Sequence, residues 1–168
     1  MRTILKVAAC LTLGVGLAFG QQAAVHDQLL DHMTGNWVLQ GTIMGQENTH
    51  DISAEWVLGH QFVRIHEVAR EKNAQGLPDY EAMVFVGWDQ PTGDYVCAWI
   101  DTYGGRTPAT FGRGKRDGNE IHFQFKDKTG VFHTRFIYHQ ETSNWEWQMD
   151  SEEKGVTKPF ARVKLTRK

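Results

Sequence analysis

Residues 52–67, ISAEWVLGHQFVRIHE, decide how this chain is read. They form two strand-like runs meeting at Gly59-His60, where a two-residue connection with glycine first suits a type II′ hairpin turn. That turn sets Leu58 against Gln61, Trp56 against Val63, Ala54 against Ile65 and Ile52 against Glu67, a face that is mostly apolar except for Glu67. On the other face Val57 meets Phe62, Glu55 meets Arg64 and Ser53 meets His66. Opposite charges facing each other across a ladder belong on a wet surface. One face asks for a core and the other for water.

The same period of two runs outward in both directions. Val25, Leu29, Leu30 and Met33 fall at helical spacing and predict one short amphipathic helix. After Thr34-Gly35 a first strand alternates through Trp37, Leu39, Gly41 and Ile43. A breaker-rich loop over 72–78 separates the hairpin from a fourth strand at 80–88 and a fifth at 95–101. The connection Asp89-Gln90-Pro91-Thr92-Gly93-Asp94 sets Trp88 against Tyr95, Val86 against Cys97 and Val84 against Trp99, with Phe85 facing Ala98 and Met83 facing Ile100. Both faces of that pair are apolar, so the outer one calls for a cover, either the N-terminal helix or a second copy of the chain.

Strand six is expected at 108–115, seven at 120–126, eight at 131–139, nine around Trp145, Trp147 and Met149, and ten at 160–166. Pairing Lys126 with Val131 places Phe125, Phe123, Ile121, Phe132 and Phe136 on one face, with His122 opposite Arg135 and Gln124 opposite His133 on the other. A slip of one residue would scatter that set. Ten short strands with hairpin-length connections make an antiparallel meander, and closure into a barrel removes its two sticky edges. The fold class expected is therefore all-β: one ten-stranded antiparallel barrel over residues 21–168 with a short N-terminal helix.

Residues 1–20 read differently. Arg2 and Lys6 precede an apolar run from Val7 to Phe19, and Ala18-Phe19-Gly20 offers small residues where a signal peptidase reads, so an export signal is expected, placing the mature protein in a periplasm or beyond. The run is short for a bilayer, so no membrane span is expected after cleavage. Cys10 follows Val7-Ala8-Ala9 as in a lipoprotein box, but the apolar run continues well past it. The whole chain carries a formal charge of −2, and removal of Arg2 and Lys6 leaves −4. That balance speaks against nucleic acid or anionic lipid as a partner. Cys97 is then the only cysteine, which excludes an internal disulfide and reads as a small buried hydrophobe.

Three motifs and the closing strand resemble an uncharacterised bacterial family of lipocalin-like domains. Gly35-Asn36-Trp37 after a short helix is similar to the lipocalin Gly-x-Trp opening, and residues 54–63, AEWVLGHQFV, resemble that family's hairpin apart from His60, where a second glycine is usual. Gly87-Trp88-Asp89, Tyr95 and Trp99-Ile100-Asp101 resemble its next hairpin, and Leu165-Thr166-Arg167-Lys168 its closing strand. The resemblance implies a calycin-type barrel with an internal cavity and no assigned reaction. It also implies a cation from the last strand packed over the opening tryptophan, with Arg162 as the candidate on Trp37 and Lys164 at the same parity.

Chemistry-bearing patterns are few. The eight histidines show no metal-ligand spacing, no Gly-x-Ser-x-Gly elbow occurs, and no glycine loop opens a helix. Gly104-Gly105 and Gly112-x-Gly114 read as turns or strand kinks. No cofactor is called for by any motif. Asp101, at a strand end, and Glu67, on the apolar face, are the carboxylates that could line a cavity mouth beside Trp56 and Trp99. The site expected is Trp56, Glu67, Trp99, Asp101 and Arg162, holding a small apolar or amphipathic molecule. An isomerase or hydrolase using Asp101 or Glu67 as base, and a haem barrel with a histidine ligand, are the other readings.

Overall fold

The computed structural model describes residues 25–104 and 111–168. The leader expected at 1–20, Gly105 and the beginning of strand six expected at 108 lie outside them. Alternation of apolar and polar residues builds ten strands: β1 (Gly35–Ile43), β2 (Gln46–Val57), β3 (Phe62–Ala69), β4 (Glu81–Asp89), β5 (Asp94–Asp101), β6 (Phe111–Asp117), β7 (Glu120–Lys126), β8 (Gly130–His139), β9 (Asn144–Glu153) and β10 (Val156–Arg167). Each pairs antiparallel with the next, and β1 pairs with β10, closing the barrel. The fold is an all-β, ten-stranded antiparallel barrel with one short helix, α1 (Gln28–Met33).

The expected registers hold pair by pair in three hairpins. Ile52 faces Glu67, Ala54 faces Ile65 and Trp56 faces Val63. Val84 faces Trp99 and Val86 faces Cys97, while Phe123 faces Thr134 and Phe125 faces Phe132. The turn between β2 and β3 is not the type II′ connection expected. Leu58, Gly59 and His60 all take left-handed backbone, with φ of 53°, 66° and 64°, and Gln61 N–H bonds back to the Val57 carbonyl at 3.2 Å. The wider loop lets the His60 ring stack on Trp56 with centroids 4.0 Å apart, and the His60 carbonyl accepts from Val25 N–H. β10 starts at Val156 rather than 160, with a register shift between Pro159 and Ala161, where proline has no N–H to give the ladder.

Inward positions carry the core, including Trp37, Ile65, Val84, Phe123, Phe136, Trp145 and Trp147, all essentially without exposure. Gly112 and Gly114 are strand positions rather than turns. A Cβ on Gly114 would lie 2.6 Å from the Phe123 ring, so the glycine makes room for that ring on the facing strand.

Helix α1 does not cover the outer face of β4 and β5. Asp27 caps it, accepting from Leu29 and Leu30 N–H, and Leu29, Leu30 and Met33 bury into one end of the barrel. Three indole N–H groups fasten it there. Trp37 donates to Met33 O, Trp145 to His32 O and Trp56 to Asp31 Oδ1. On the uncovered outer face Ile100 stays 52% exposed and Phe111, just along the wall, 76% exposed.

Candidate functional site

Helix α1 plugs one end of the barrel, and the opposite end, the mouth, carries the β3–β4 loop and the ends of β5, β7 and β9. There the alternation that fills the core turns polar. His50 on β2 and Glu67 on β3 continue the inward rows of Ile52–Ala54 and Val63–Ile65, and they are 2% and 3% exposed. His50 Nδ1 lies 2.5 Å from Glu67 Oε1, so a single hydrogen is shared between them. The second oxygen, Glu67 Oε2, is buried and has no hydrogen-bond partner among the described residues. A buried acceptor left in that state is costly.

Around this pair stand aromatic rings. Tyr80 precedes β4 on the inward row of Ala82, and its ring lies 5.7 Å from that of His50. Trp99 Nε1 donates to the Tyr80 oxygen at 2.9 Å, and Tyr80 in turn points at Asp101 Oδ2 at 3.5 Å. Burial first, and then the Glu67 charge, push the Tyr80 phenol far above its ordinary range, so it remains a neutral hydroxyl. Asp101 also accepts from Tyr103 N–H at 2.9 Å, the local turn bond that a strand-end aspartate commonly makes. Trp99 crosses the interior to meet Trp147 edge-on, with ring centroids 6.3 Å apart. Trp147 Nε1 and Thr134 Oγ1, both on inward rows, are further buried polar atoms without partners among the described residues. Outside Tyr80 and Tyr103 lies a depression of about 340 Å³ lined by Asn73, Leu77, Pro78, Asp79, Glu81, Thr102 and Tyr103.

The five expected site residues do not all meet. Glu67, Trp99 and Asp101 converge on the mouth through Tyr80. Trp56 lies at the α1 end, half-buried between Asp31 and His60. Arg162 faces outward, because Ala161, Val163 and Leu165 take the inward row of β10; it binds Asp150 at 2.5 Å and the Met149 carbonyl. The cation over Trp37 is Arg167 instead, its guanidinium carbon 4.3 Å from the ring centroid. Gly35 makes that approach possible, since a Cβ there would sit 2.5 Å from Arg167 Nη1. Compared with protein-family models and with curated proteins, the chain matches none. The lipocalin-like resemblance accordingly stands on its motifs and on the barrel itself.

His50, Tyr80 and Arg167 were not singled out from the sequence. Each had a signal in parity: His50 two positions before Ile52, Tyr80 two before Ala82, and Arg167 two after Leu165. The outer wall of β7–β9 holds a different polar group. His122 and His133 lie 3.1 Å apart there, with His133 also on Glu152 at 3.0 Å and Arg135 forked onto Glu120. Among the described residues no set of three or more ligating side chains is arranged to hold a metal ion. Burial and then the neighbouring His133 hold the His122 imidazole below its usual value.

Proposed function

We propose that the barrel binds a small amphipathic molecule at its mouth, with the apolar body against Tyr80 and Trp99 and a polar group reaching Glu67. The observation that carries this is Glu67 Oε2, buried, without a partner among the described residues, close to Tyr80 and held in place by His50. Apolar concavities with a few fixed polar groups are the usual form of small-molecule sites. The calycin-like motifs support the same reading, and an export signal at 1–20 would put the protein to work outside the cytoplasm. Native mass spectrometry of freshly purified protein tests it: a co-purified small molecule is expected, with its occupancy reduced in Glu67→Gln. A bare protein together with unchanged behaviour of Glu67→Gln refutes it. The same spectrum, with absorbance near the Soret band, tests the haem alternative, for which His50 is the inward histidine at the mouth. A mature mass beginning near Gln21, from protein made in its native host, tests the leader.

The His50–Glu67 pair also supports a second reading, in which Glu67 accepts a proton from a bound substrate. A general base needs an orienting partner, and His50 is one. Turnover of a co-purified compound, abolished in Glu67→Gln, would establish it.

A further inference from the structure

We infer that the outer wall of β7 and β8 binds one divalent transition ion, of the zinc or copper class, between His122 and His133. This site is independent of the mouth and of any ligand there. Ile121, Phe123 and Phe125 take the inward row of β7, so His122 faces out, and the register sets His133 diagonally across from it. Two ring nitrogens then aim at each other, His122 Nε2 and His133 Nδ1, 3.1 Å apart, with the ring centroids 5.3 Å apart. Two metal–imidazole bonds of about 2.0–2.1 Å at a tetrahedral angle span roughly 3.3–3.4 Å between their nitrogens. An ion fits between these rings after a small rotation of each.

The hydrogens favour the same arrangement. Glu152 Oε2 accepts from His133 Nε2–H at 3.0 Å, which leaves the lone pair of the neutral ring on Nδ1, facing His122. A carboxylate on the far nitrogen is the usual support of a ligating histidine, since it fixes the tautomer and makes the ligating nitrogen more basic. On the other ring, moving the hydrogen of His122 from Nε2 to Nδ1 turns the donor of the pair into a second lone pair. The ion takes the place of the shared hydrogen, and no net proton has to leave. The cations beside the pair are held by carboxylates: Arg135 forks onto Glu120, and Lys115, across from His122, binds Asp94. The His133 side chain is 18% exposed, sheltered yet within reach of an ion arriving from solvent. Two imidazoles suit zinc or copper, and water fills the remaining positions.

Isothermal titration of Zn²⁺ into the folded full chain at neutral pH tests this, beside His122→Gln, His133→Gln and Glu152→Gln. One ion per chain is expected, bound at least tenfold more weakly in either histidine variant and about tenfold more weakly in Glu152→Gln. Nitrogen NMR of the imidazole rings gives a second readout on the wild-type chain, so the answer does not depend on the variants folding. Zn²⁺ should shift His122 Nε2 and His133 Nδ1 together and convert His122 to the Nδ1–H tautomer. No uptake up to about 1 mM Zn²⁺, equal uptake in both histidine variants, or shifts confined to other histidines overturns the inference. Unchanged affinity in Glu152→Gln overturns the part given to the carboxylate.

Discussion

His50 and Glu67 are each tolerable inside the barrel only because of the other. Removing one partner of a buried polar pair leaves the second without compensation, a loss of roughly 3–5 kcal/mol where the pair is charged. His50→Ala should therefore lower unfolding free energy by about 3 kcal/mol in urea denaturation, more than Glu67→Gln, which keeps an acceptor for the imidazole. A double variant less destabilised than the sum of the singles is expected from their contact. A second residue-scale expectation concerns acid. Hydrogen bonds from Arg70, and next from Lys168, hold the Asp51 carboxyl down at about 2. Its unfolded value is about 3.9, so the stability it contributes is fully present above that value and is lost as pH falls through about 2. Asp51→Asn should flatten the acid limb of a stability-versus-pH curve. A limb of unchanged slope would mean that the two cations do not act on Asp51 in solution.

At the scale of elements, α1 is too short to stand alone and depends on its anchors. Asp27 caps its first turn, receives the Tyr95 hydroxyl and approaches Arg116 at 3.4 Å. Burial, followed by that bond to Asp27, pushes the Tyr95 phenol up to about 12. Asp27→Ala is expected to cost about 1–2 kcal/mol and to free the helix before the barrel melts. Early hydrogen exchange at Leu29 and Leu30, with barrel amides still protected, is the result to look for. Exchange of helix and barrel together would show that the plug and the wall form one cooperative unit. In β6, Gly114→Val should cost roughly 1–3 kcal/mol, since the new side chain must displace the Phe123 ring. A thermal melt within a degree of wild type would contradict that packing.

The whole barrel was largely legible in the chain, and particular residues show why. Ile52, Ala54, Trp56, Val63 and Ile65 announce a face because strand side chains alternate strictly, and the neighbouring strands repeat the rule. Parity names the face but not the height along it. Trp56 and Glu67 share an inward face, yet one lies under α1 and the other at the mouth, because Trp56 stands beside the β2–β3 turn and Glu67 toward the far end of β3. Arg162 and Arg167 differ by an odd step, and Val163 with Leu165 decides in favour of Arg167. The coverage expected for β4 and β5 was not legible, since where a six-residue helix docks depends on which tryptophan N–H groups it can satisfy. Size-exclusion chromatography with light scattering checks whether a second copy covers that face; a monomer at all concentrations would leave it bare.

β1 and β10 lie side by side, antiparallel, with Trp37 opposite Arg167 and Lys168 N–H bonded to the Asn36 carbonyl. A load applied between residue 35 and residue 167 would thus fall on the hydrogen bonds of that seam one rung after another, starting beside Trp37 and travelling toward Ile43. Unzipping of this kind yields at far lower force than shearing, where all rungs share the load at once. In single-molecule stretching the barrel should open at its seam under small forces, whereas handles at residues 43 and 167 would pull along β1 and β10 and meet much greater resistance.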